Sequence, residues 1–114
     1  MPLTLQTRNL EPDIVVMELT GRITMGNDCQ QVEWAAHKLV GDNRKKVIFD
    51  LSGVTHVDST GIGIIVSVAG EMKKAGGKLQ VAAANEHVTQ LLKMTSVDQI
   101  VALHPTAGAA AAAF

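Results

Sequence analysis

Val47-Ile48-Phe49-Asp50-Leu51-Ser52-Gly53-Val54-Thr55-His56-Val57-Asp58-Ser59-Thr60-Gly61-Ile62-Gly63 is the stretch that decides how this 114-residue chain folds. Lys46 to Asp50 is a short apolar run of strand character, and Leu51 to Val57 reads as a loop. Asp58 and Ser59 then bring short polar side chains of the kind that cap helices. Beyond them the period becomes helical: Ile62, Ile65, Val66, Ala69 and Met72 share one face, and the helix is predicted to end at Ala75, before Gly76-Gly77.

Upstream, Leu3 to Thr7 alternates apolar and polar, Ile14 to Leu19 is β-branched, and Asn9 to Asp13 with Pro12 supplies turn chemistry, which predicts an opening hairpin. Val32, Ala35, Ala36, Leu39 and Val40 fall at helical spacing, so a first helix is expected over roughly Asp28 to Val40, with Asn27 or Asp28 as cap and Gly41 past its end. Downstream, Lys78 to Ala83 reads as a strand. Asn85 caps a helix with Val88, Leu91 and Leu92 inward, and Ile100 to Leu103 is a last short strand. The tail, 106–114, is Ala-rich. Alanine has the highest helix propensity, but so short a run holds only if it docks, here through Ala and Phe114. The order ββαβαβαβ with a terminal helix implies one α/β domain over residues 1–114, with a mixed sheet packed against helices.

Ten Lys and Arg against eleven Asp and Glu, with only Trp34, Phe49 and Phe114 aromatic, argue against a nucleic-acid partner, which wants a basic footprint and stacking rings. Cys29 is the sole cysteine, so no internal disulfide forms; its thiol is expected to pack. Met1 to Leu10 carries polar residues where a secretory signal would be apolar. Gly61 to Gly70 is about half the length needed to cross a bilayer. No direct membrane insertion is expected, and the chain reads as cytoplasmic.

His37, His56, His87 and His104 show no recognised metal-ligand spacing to one another or to Cys29, so neither metal nor cofactor is expected. His56, Asp58 and Ser59 are close in sequence, but the Gly-x-Ser-x-Gly turn of the α/β-hydrolases is absent, which argues against an enzyme. Gly61-Ile62-Gly63 lacks the rest of a nucleotide-binding fingerprint. At about 100° per residue, Ser59, Gly63, Ser67 and Gly70 form one small-residue stripe, with Ile64 also on the outward side. Each interior glycine costs a helix about 1 kcal/mol relative to alanine, so either a partner or the sheet is expected to approach this backbone closely. Trp34, off the apolar stripe of the first helix, is expected to lie flat over a neighbouring apolar edge.

Val47 to Val54 followed by Val57-Asp58-Ser59-Thr60-Gly61-Ile62-Gly63 resembles the anti-sigma factor antagonists of the STAS domain family. The likeness extends to Leu19-Thr20-Gly21-Arg22, Ala75-Gly76-Gly77-Lys78-Leu79 and Val88, Leu91, Leu92, Met94 and Thr95. The resemblance implies that Ser59 is phosphorylated by a partner that is both serine kinase and anti-sigma factor. It also implies that the unmodified chain binds that kinase and frees the sigma factor, and that a phosphoserine phosphatase restores the unmodified form. Asp58, Thr60, Gly61, Gly63, Ile64 and Ser67 would then line the partner surface. Family members often carry an acidic residue in the loop after the second strand, where this sequence has Thr24, which bears on partner identity. STAS domains also serve as regulatory or structural parts of stress-signalling scaffolds and membrane transport assemblies.

Overall fold

The computed structural model describes residues 2–26 and 29–114. Strands β1 (Thr4–Leu10) and β2 (Ile14–Ile23) form the expected hairpin, in register from Thr4 opposite Thr20 to Leu10 opposite Ile14. Next come helix α1 (Gln30–Gly41), β3 (Lys46–Val57), α2 (Ser59–Lys74), β4 (Lys78–Ala82), α3 (Glu86–Met94), a 3-10 turn (Val97–Gln99), β5 (Ala102–His104) and α4 (Ala107–Ala112). The five strands lie in chain order, antiparallel between β1 and β2 and parallel thereafter.

A sheet extended strand by strand by crossovers of one hand carries its helices on one face. The packing agrees: Val15, Met17, Leu19, Val47, Phe49, Leu51, Leu79 and Val81 bury against apolar side chains of α1, α2 and α3. The alternate residues Ile14, Val16, Ile48 and Ala82 point the other way, onto Ala110 of α4 with Ala107, Ala111 and Phe114 at its margin. Gln80, fully buried on that second face, donates from Nε2 to the Ala110 carbonyl at 3.0 Å, and its Oε1 bonds His104 Nε2. The Ala-rich tail therefore docks, as its composition and Phe114 suggested.

Several boundaries differ from those expected. Leu51 to Val57 is not a loop: β3 runs through Val57 and stays paired with β2, Thr20 with Gly53, Gly21 with Val54, Arg22 with His56 and Ile23 with Val57, across two register shifts. Gly53 makes this possible, since a Cβ there would lie 2.7 Å from Thr20 Oγ1. Helix α1 starts at Gln30 and keeps Gly41 inside its last turn; the proposed caps Asn27 and Asp28 lie outside the described residues. Ile100 is 55% exposed and precedes β5 rather than opening it.

Candidate functional site

The extension of β3 carries the chain to the end of the sheet where α2 begins. Asp58 caps that helix: in extended backbone conformation, its Oδ1 accepts the Gly61 N–H at 3.0 Å. Its Oδ2 accepts the Met25 N–H, also at 3.0 Å, so one carboxylate ties the β2–α1 loop to the start of α2. These two backbone donors, Met25 foremost, hold the Asp58 carboxyl below its ordinary value against the opposing effect of desolvation. Both Asp58 oxygens are thus engaged by backbone N–H groups, and His56 Nδ1 bonds its neighbour Thr55 Oγ1 at 3.0 Å.

Ser59 is exposed at the first position of α2, while Thr60 is half-buried. Gly61 is buried and cannot be otherwise: a Cβ there would stand 2.2 Å from the Ile23 carbonyl oxygen and 2.8 Å from Val57 Cγ1. Gly63 and Gly70 differ, since a Cβ at either meets nothing within 4 Å. Ser59, Gly63, Ser67 and Gly70 are all exposed, so the small-residue stripe exists and faces away from the sheet. The close backbone approach belongs to Gly61.

Two side chains on α2 exchange places with respect to the sequence reading. Ile64, expected outward, is 4% exposed, and Val66, expected inward, is 37% exposed. The buried set is Gly61, Ile64, Ile65, Val68, Ala69 and Met72, a regular helical face centred one position away from the expected one. Thr24 is half-buried in the β2–α1 loop beside Met25, on the same side of the domain as Asp58. Trp34 is 68% exposed, so most of its ring faces solvent.

Between the start of α1 and the start of α2 lies a hollow of about 710 Å³. Its walls include Thr60, Gly63 and Ile64 from the expected site, joined by Met25, Cys29, Gln30 and Glu33, which the sequence reading did not select. Cys29 is buried and free, packed as expected but at the edge of this hollow. Ser67 connects the two helices weakly, its Oγ 3.5 Å from Glu33 Oε2, and His37 Nδ1 pairs with Glu71 Oε1 at 2.7 Å. Among the described residues no three His, Cys, Asp or Glu side chains gather as a metal site would require, and no helix is long and apolar enough to cross a membrane.

Fold and site together define a small α/β domain whose parallel strands lead to an exposed serine behind an aspartate helix cap. The chain belongs to the STAS domain family, whose profile matches residues 7–110. A Thermotoga maritima protein named as a candidate anti-sigma factor antagonist is 26% identical over 94 residues, covering 82% of this chain and 83% of the relative. An anti-sigma factor antagonist from Mycobacterium paratuberculosis has the same fold, with a TM-score of 0.87 at 24% identity over 97% of this chain and 92% of that one. The Bacillus cell fate determinant SpoIIAA in its phosphorylated form superposes with a TM-score of 0.75 at 14% identity, covering 96% and 98% of the two chains.

Proposed function

We propose that this chain is a cytoplasmic, non-enzymatic anti-sigma factor antagonist that works by exchange of partners. Unmodified, it binds an anti-sigma factor that is also a serine kinase and so frees the sigma factor. Phosphorylation of Ser59 ends that binding, and a phosphoserine phosphatase restores it. The observation that carries this reading is the exposure of Ser59 at the start of α2, behind the Asp58 cap and beside the open stripe of Gly63 and Ser67. A kinase reaches an exposed hydroxyl there, whereas Thr60 is half-buried. The relatives' names point to the same role. The partner surface comprises Asp58, Thr60, Gly61, Gly63, Ile64, Ser67 and Thr24, with Asp58, Gly61 and Ile64 acting from beneath as its frame. The test is a pull-down comparing unmodified protein with Ser59→Asp, followed by identification of the captured proteins and phosphosite mapping. An anti-sigma kinase retained only by the unmodified form, and phosphate on Ser59 alone, are expected; modification mainly at Thr60, Ser52 or Ser67 overturns the assignment.

A further inference from the structure

We propose that the hollow between α1 and α2 receives an arginine-bearing segment of the protein partner, with Glu33 as the counter-ion. This rests on the reading that this end of the domain is the partner surface. At about 710 Å³ the hollow is of the size that holds a short peptide segment rather than a single water or ion. Its floor is apolar, formed by buried Ile64 and Cys29, with exposed Met25 at one side. Its rim is polar, and of the described lining residues Glu33 alone carries a formal charge at neutral pH.

That charge has no ion-pair partner among the described residues. Glu71, the other carboxylate facing between the two helices, pairs with His37 at 2.7 Å. Among the described residues Glu33 forms no ion pair with a lysine, arginine or histidine, and its side chain accepts only the long 3.5 Å hydrogen bond from Ser67 Oγ. An acidic group at the rim of an apolar floor selects a side chain that is apolar along its stem and cationic at its tip. Arginine fits better than lysine, because its planar guanidinium presents paired donors to a carboxylate and is more weakly hydrated. The Gly63 stripe leaves the helix backbone uncovered at the mouth, so the main chain of the incoming segment can come close.

The experiment has two arms. In the first, the ¹⁵N-labelled domain is titrated with N-acetyl-arginine N-methylamide and with its neutral isostere, the citrulline derivative. Saturable shifts at the amides of Glu33, Gly63 and Ile64 are expected with the arginine probe only, and are expected to vanish in Glu33→Gln. Equal shifts from the citrulline probe, undiminished shifts in the variant, or no saturable response overturn the proposal. In the second arm, affinity for the anti-sigma factor captured by the unmodified chain is measured. Glu33→Gln is expected to weaken it at least about tenfold and Glu33→Lys further; unchanged affinity overturns the proposal. If no anti-sigma factor is captured while the arginine probe still saturates at Glu33, the functional reading fails and the chemistry of the hollow stands.

Discussion

Gly61 and Gly63 sit two residues apart on one helix and do opposite things. Gly61→Ala forces a methyl against the Ile23 carbonyl, and overpacking of this kind costs roughly 1–3 kcal/mol. Gly63→Ala meets open space and removes backbone entropy from the unfolded chain, so urea denaturation is expected to find it more stable by about 0.5–1 kcal/mol. Asp58 is a second residue with a measurable signature. Its carboxyl is held below the ordinary 3.8 by the N–H groups of Met25 and Gly61, so the folded chain favours the ionised form more than the unfolded chain does. The stability this adds is complete above 3.8 and is lost as pH falls through the lowered folded value. Asp58→Ala is expected to cost about 1 kcal/mol at neutral pH, with the gap to wild type closing in acid; denaturation curves across that range check it. The Asp58 cap was legible in the sequence because the side chain acts on its own helix. The inward face of α2 was not, because its first member is Gly61, which gives no apolar signal, and the pattern was drawn instead through Ile62.

At the scale of elements, β3 and α4 are instructive for different reasons. Ser52, Gly53 and Thr55 are loop-like by composition, and only the partner strand makes this stretch a strand: Gly53 pairs with Thr20 and Val54 with Gly21, while Ser52 and Thr55 fall at the register shifts, where Thr55 Oγ1 donates to the Gly21 carbonyl at 3.3 Å. Pairing between segments some thirty residues apart leaves no local mark, which is why the strand could not be read from its own residues. The tail was legible because alanines and a terminal phenylalanine can hold a helix only by docking. What the sequence left hidden is the polar clasp beneath it. Gln80→Leu removes one of the two donors to the Ala110 carbonyl, the Ala113 N–H remaining, and leaves His104 without its Gln80 partner, at a cost of about 1 kcal/mol. Hydrogen exchange is expected to accelerate across Ala110–Ala113 before it does in β2 or β3, with the apolar surface of Ile14, Val16 and Ile48 becoming available to a dye such as ANS.

For the molecule as a whole, the expected switch is local. A phosphoserine at position 59 adds about −1.5 to −2 charges to a helix start whose dipole favours them, while the neighbouring Asp58 carboxylate repels them. The two effects are each on the order of 1 kcal/mol and oppose each other, so circular dichroism and melting temperature are expected to change little. Partner affinity is expected to fall at least about tenfold, since only about 1.4 kcal/mol is needed and the phosphate must be accommodated at an interface shaped for a hydroxyl. Measuring both on one preparation separates a local switch from an unfolding one; loss of the fold, or unchanged affinity, counts against it. The motif half of this candidate site was legible as a helix start because Asp58 to Gly63 is contiguous. The hollow was not, because Met25, Cys29 and Glu33 meet Ile64 only once α1 and α2 are laid side by side on the sheet.

The double hold of Asp58 also bears on the kinetics of recognition. Because one carboxylate grips both Met25 and Gly61, Met25 and the start of α2 are held together in the free chain, and less ordering of these two groups is expected in an encounter with the proposed partner. Substitutions here are then expected to be felt in how long a complex survives rather than in how fast it forms. Loss of the Met25 arm alone is expected to slow association with that partner, which rapid-mixing kinetics would read as a lower association rate.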